Sequence, residues 1–122
     1  MAVPAWVSDF ATSFYAKVAD VNSPSNYAAQ FIPDGDLYMR AAFKGREQIE
    51  QCMTGFWARV KVSKHHSVKV FYNEQTPDTI FVNGLLDLEN ADGSSMKDIE
   101  WVSRFVLNDD KQIVSYRVWT CE

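Results

Sequence analysis

Near the start of the chain, apolar residues recur every four positions: Trp6, Phe10, Phe14 and Val18, with Val7, Ala11 and Val21 widening the stripe. That is the period of one helix face, and it predicts a helix over residues 5–21. Pro4 suits its first turn, and Asn22-Ser23-Pro24 breaks the pattern. Ser23 is placed to cap a short second helix, with Pro24 at its first position, running to about Phe31. Pro33-Asp34-Gly35-Asp36 reads as a turn. Leu37, Met39 and Ala41 then alternate with Tyr38, Arg40 and Ala42, as in a short strand. After Lys44-Gly45, the residues Ile49, Met53, Phe56, Trp57 and Val60 share one face of a third helix.

From residue 63 the period changes to two. Four β segments are expected, at about 64–74, 79–89, 96–107 and 111–121. The breaks are Thr76-Pro77-Asp78, Asn90-Ala91-Asp92-Gly93 and Asn108-Asp109-Asp110, all hairpin-type connections, so the sheet is expected to be antiparallel and meandering. Helices that precede such a sheet cover one of its faces, which predicts an α+β domain of two layers. A strongly bent sheet closed by a helix leaves a cavity at its open end, where small molecules bind.

Composition narrows the reading. A chain of 122 residues, 47% hydrophobic and 14% aromatic, is long enough for one cored domain, expected to span 1–122. The net charge of −4 and the absence of a Lys/Arg stripe argue against nucleic acid as a partner. No apolar run is long enough to span a bilayer, and MAVPAWVSDF lacks the charged and apolar regions of a signal peptide, so a cytoplasmic protein without a membrane partner is expected. Cys52 and Cys121 follow no motif spacing and are expected to be reduced. No phosphate loop or nucleophilic triad is present, and no cofactor is expected.

The segments FIPDGDLYMRAAFKGREQI and RFVLNDDKQIVSYRVW, within this order of elements, resemble the NTF2-like superfamily, in particular its SnoaL-like polyketide-cyclase branch. The first is similar to the family's join between first strand and third helix, the second to its closing hairpin. The resemblance covers essentially the whole chain. It implies a cone-shaped curved sheet packed on three N-terminal helices around an apolar pocket, often in a homodimer. Enzymes with this fold include ketosteroid isomerases, scytalone dehydratases and polyketide cyclases, while other members only bind, so the fold alone does not choose between them.

The only two histidines lie together in KHHSVKVF, residues 64–71. Successive strand residues face opposite sides, so the pair does not chelate one ion, and no metal site is expected. A charged Lys69 belongs outside, which places His66, of one parity with Val68, Val70 and Tyr72, inside the pocket. The position is similar to that of a scytalone dehydratase histidine. There His66 either gives and takes a proton or serves as a hydrogen-bonded rim residue; both readings stand at this point. Tyr15 is the second catalytic candidate, because the resemblance matches it to the ketosteroid isomerase tyrosine that donates to an oxyanion. Its alternative is an aromatic of the helix–sheet core.

The same comparison subtracts an activity. Met39 and Ser103 stand where ketosteroid isomerases hold their two aspartates, so steroid isomerisation is not implied. On the fourth long segment, Ile99, Trp101, Ser103, Phe105 and Leu107 form the more apolar face and are expected to be concave, leaving Asp98, Glu100 and Arg104 outside. One bulge would reverse that parity and make Glu100 the general base. Met39, Met53, Phe56, Trp57, Trp101, Ser103 and Tyr116 are the expected substrate-binding wall.

Two functions remain open. One is a cofactor-independent isomerase, cyclase or dehydratase acting on an apolar polyketide- or terpenoid-like molecule of secondary metabolism. The other is a non-catalytic ligand-binding or dimerisation module.

Overall fold

The computed structural model describes residues 3–20 and 23–121. Val21 and Asn22, at the end of the expected first helix, lie outside the described residues. Helices α1 (Ala5–Val18) and α2 (Pro24–Ala28) come first, followed by strands β1 (Phe31–Met39) and β2 (Ala41–Lys44). Helix α3 (Arg46–Arg59) then leads into β3 (Val60–Tyr72), β4 (Thr79–Asn90), β5 (Ser95–Leu107) and β6 (Ile113–Cys121). The six strands form one curved, open sheet in the order β2-β1-β6-β5-β4-β3, with the helices packed on it. This is the expected α+β architecture.

Helix α1 forms as its period dictates. Val7, Ala11, Phe14, Tyr15 and Val18 are buried along one face, while Asp9 and Ser13 face out. Pro4 occupies its N-cap, where the missing N–H costs nothing. Ser23 takes the N-cap position of α2, but its hydroxyl donates to the Asp20 carboxylate instead of accepting a helix N–H.

Three expectations are corrected. The sheet is mixed, because β1 lies parallel to β6 while β3 to β6 form the antiparallel meander. Pro33-Asp34-Gly35-Asp36 is not a turn between elements but an irregularity inside β1: five steps from Phe31 to Asp36 match two along β6, from Ile113 to Ser115. Turn-forming residues are used there to bulge a strand that continues on either side, and a Cβ on Gly35 would meet the Ile113 and Ile32 carbonyls at 3.1 Å. Val60 opens β3 rather than closing α3.

The concave face of the sheet is filled by rings. Phe105 stacks on Tyr116 with centroids 4.4 Å apart, and Phe14 meets both edge-on at 4.9 Å. Trp101, of the same β5 face, lies across the backbone of its register partner Gly84 on β4. A Cβ on Gly84 would stand 2.3 Å from Trp101 Cη2, so only glycine allows the indole to lie this close to the sheet. Each fully buried ring contributes about 2–3 kcal/mol, so this aromatic layer is a large part of the core's stability.

Gly84→Ala therefore forces the indole off the sheet. We expect a loss of about 1–3 kcal/mol, read in urea denaturation as a lower midpoint at unchanged slope.

Candidate functional site

A cavity of about 600 Å³ opens between α1 and β3. Ala11, Thr12, Tyr15, Ala16 and Ala19 form its helical wall, and Ser63, His65, Val68 and Val70 its strand wall. Short side chains on α1 leave the gap, since the helix stands on the sheet through Phe14 and Tyr15 and has little to fill the space beside them.

The strand wall depends on one extra residue. His66 pairs with Leu85 and Lys69 with Asn83, so three steps along β3 match two along β4. Ser67 takes up the excess at φ 53°, in the left-handed region. Ser63 and His65 face inward before the bulge, and Val68 and Val70 after it. Lys69 does point outward and Val68 and Val70 do line the cleft, as expected. Extending that parity back through Ser67 put the wrong histidine inside. His65 lines the cleft, and His66 lies on the other face.

His65 is enclosed by rings. Its centroid is 4.8 Å from that of Tyr15 and 4.9 Å from that of Trp101. Burial, reinforced by the neighbouring His66, lowers its pKa from 6.5 to about 4, so the imidazole is neutral at physiological pH. Its Nδ1 is buried without a hydrogen-bond partner.

Tyr15, the other wall of this corner, ends a hydroxyl network. Its oxygen is 2.9 Å from Ser103 Oγ and 3.2 Å from the Tyr116 hydroxyl, and Trp101 Nε1 donates to it at 3.3 Å. Burial raises its pKa against the opposing effect of these bonds, so the phenol stays protonated. The pKa of Tyr116 is pushed well up for the same reason, burial. The corner thus pairs a neutral imidazole with a neutral, preorganised phenol.

The remaining expected residues divide. Trp101, Ser103 and Tyr116 stand behind Tyr15 as its support and do not line the cleft. Met53 is buried in the core, and Met39, Phe56 and Trp57 pack against that core; none of the four lines the cleft, because α3 covers β1 and β2 away from its mouth. The β5 parity holds: Trp101, Ser103, Phe105 and Leu107 are buried, whereas Glu100 is exposed and accepts from Asn83 Nδ2 at 3.2 Å. Glu100 is therefore no pocket base. Ser63 was missed; with the strand phase known, its alternation with His65 would have found it.

On the opposite face, His66 Nε2 lies 3.1 Å from Asp87 Oδ1 and 3.4 Å from Asp98 Oδ1. The Asp98 backbone N–H, first, and His66, second, hold the Asp87 carboxyl below its usual range. Among the described residues these three are the one group of ligand-type atoms within 4.8 Å of one another. They come from three strands, so no sequence spacing brings them together. Each atom is already partnered within the group, and partly solvated pairs of this kind add little to stability. Cys52 and Cys121 are free thiols. No helix among the described residues is long and apolar enough to cross a membrane.

An NTF2-like protein from Anabaena variabilis superposes with a TM-score of 0.81 at 16% identity, over 100% of this chain and 95% of that one. A hypothetical protein of ketosteroid isomerase-like fold from Catenulispora acidiphila, in complex with trimethylamine, gives 0.79 at 16% identity, over 90% and 83%. The chain has the NTF2-like fold. A phenazine biosynthesis-related protein from Pseudomonas aeruginosa shares it, with a TM-score of 0.77 at 11% identity over 94% and 79%. The chain matches no family model and no curated protein sequence. At these identities the likeness is one of fold, and the NTF2-like cone accounts for a cleft at the edge of the sheet, not for its chemistry.

The low pKa of His65 has a measurable consequence. Between about pH 6.5 and 4 the unfolded chain binds a proton at this residue that the folded chain excludes, so stability falls as pH falls through that window. The loss is roughly 2–3 kcal/mol. His65→Gln removes this component, and comparing wild type with the variant by urea denaturation at pH 7 and pH 4 measures it.

Proposed function

We propose that the chain is a cofactor-independent acid–base enzyme of SnoaL-like type, an isomerase or lyase acting on a neutral, largely apolar oxo compound. The observation that carries this reading is the corner of the α1–β3 cleft, where the His65 imidazole, its Nδ1 without a partner, packs on the Tyr15 ring with centroids 4.8 Å apart. His65 replaces His66 in the proton-moving role, and Tyr15 keeps the role expected for it. A shared fold with a phenazine biosynthesis-related protein is in keeping with a flat ring substrate.

In this reading the Tyr15 proton turns from Ser103 or Tyr116 to the substrate carbonyl, while neutral His65 takes a proton from the adjacent carbon. The developing enolate is stabilised by that donor, whose oxygen goes on accepting from Trp101 Nε1 and from one of the two hydroxyls. The imidazolium formed is a strong acid for its kind because its site opposes the charge, so it returns the proton readily. Delivery to another carbon gives isomerisation; delivery to a departing hydroxyl gives dehydration. The elevated pKa of Tyr15 keeps it a donor and not an anion throughout the neutral range.

A second reading, that of a dimerisation module, is favoured by the uncovered sheet face. Phe71 and Phe81, register partners on β3 and β4, are 55% and 44% exposed, and Trp119 on β6 is 42% exposed. Homodimerisation through this face is compatible with catalysis in the cleft on the other side.

With a turned-over substrate of this class, His65→Ala is expected to lower kcat by about 10²–10⁴-fold and Tyr15→Phe by about 10–10³-fold. The wild-type rate should be flat at neutral pH and fall only as His65 protonates near pH 4. A His65→Ala chain that keeps full turnover, or a rate that tracks His66→Gln instead, would sink the assignment. For the dimer, sedimentation velocity of wild type and Phe81→Glu should give a dimer and a monomer respectively.

A further inference from the structure

We propose that Ser63 is a specificity-determining residue of the same cleft, binding a second oxygen of the substrate, so that the ligand is a neutral ring compound carrying two oxygen groups. This rests on the reading of the cleft as a substrate site and goes beyond it. Ser63 is only 6% exposed, yet its Oγ has no hydrogen-bond partner. Leaving a buried hydroxyl unpaired is unfavourable, and natural structures rarely leave one so without a ligand or water to bond it. The other buried side-chain atoms in that state among the described residues are Tyr27 Oη, Trp57 Nε1, Arg104 Nε and His65 Nδ1. Of the five, only those of Ser63 and His65 belong to residues lining the cleft.

The two are spaced by the strand. Residues two apart on one face of a β-strand lie roughly 6–7 Å from each other. Ser63 and His65 precede the bulge at Ser67, so their alternation is regular. A ligand lying along β3 with its carbonyl at the Tyr15–His65 corner therefore presents to Ser63 a position on its far side. The Oγ is covered in the free chain and meets the ligand by turning about χ1 toward the cleft, where a hydroxyl or a carbonyl oxygen satisfies it, since Oγ both donates and accepts.

Charge is excluded for the buried part of the ligand. The lining holds Ser8, Thr12, Tyr15, Ser63 and a neutral His65 as its polar groups; Lys64, its one charged residue, is exposed to water. An ionised group at Ser63 would be buried without a counter-charge. Small side chains at Ala11, Ala16 and Ala19 leave room for a flat ring against the helix.

The experiment uses the whole chain and two probes: a naphthol, and the matching naphthalenediol with its hydroxyls on opposite rings. Calorimetric titration is expected to show the diol binding wild type more tightly than the naphthol, by roughly three- to tenfold, one neutral hydrogen bond. Ser63→Ala should abolish that preference and leave naphthol affinity unchanged, while raising the melting temperature of the free protein, because an unpaired hydroxyl is gone. A hydroxyl with only a structural role would lower it. Equal affinity of wild type for both probes, or a Ser63→Ala loss shared by both, overturns the Ser63 assignment and leaves the substrate site standing where His65→Gln still weakens the naphthol. Failure of either probe to bind wild type overturns the substrate site, and Ser63 with it. A Ser63→Ala chain that does not fold, by circular dichroism, shows that the hydroxyl has a structural partner and overturns the proposal.

Discussion

The close approach of Trp101 to the backbone at Gly84 sets the geometry of everything beside it. A large flat indole replaces the side chain that β4 lacks, so the sheet surface is built up on β5 and hollow on β4. The indole then serves the site in two ways: its Nε1 donates to Tyr15, and its edge meets the imidazole of His65. Tyr15 in turn is held from the other side by Ser103 and Tyr116. A side chain at residue 84 would disturb this chain of contacts at its root.

The site is consequently rigid on one wall and unfinished on the other. Tyr15 has its hydrogen bonds, whereas Ser63 Oγ and His65 Nδ1 on β3 have none. A protein selected for stability alone would replace those two by apolar residues, since unpaired polar atoms are worse than none in a low-dielectric interior. Their place beside a cavity fits the proposed substrate site. The low pKa of His65 belongs to the same pattern: burial among rings keeps the imidazole neutral and available to a neutral ligand.

Strand irregularities shape the molecule, and two of them re-aim side chains. The extra residues in β1 use Pro33 and Gly35 to bend the strand that pairs with β6. The bulge at Ser67 turns His65 inward and His66 outward. Asp98, at φ 56° near the break between Leu86 and Leu88, is left facing His66 and Asp87. Bulges commonly re-aim side chains next to binding sites, and here one residue decides which of two identical neighbours lines the cleft.

Much of this was legible from the chain itself. The four-residue period of Phe10, Phe14 and Val18, the change to period two after residue 63 and the hairpin breaks near Pro77, Gly93 and Asp109 are local properties, and they determined the α+β order of elements. The face of β5 followed from alternation alone, because β5 is regular from Trp101 onward. Tyr15 does line the cleft, while Ser103, expected in its wall, lies behind it at 2.9 Å from the Tyr15 hydroxyl. What only the tertiary structure decided was everything that depends on phase or on distant pairing. The parallel β1–β6 pair joins residues about eighty apart, and α3 packs against β1 rather than over the cleft. The imidazole inside belongs to His65 because Ser67 adopts a left-handed conformation that no pattern of apolar and polar residues encodes.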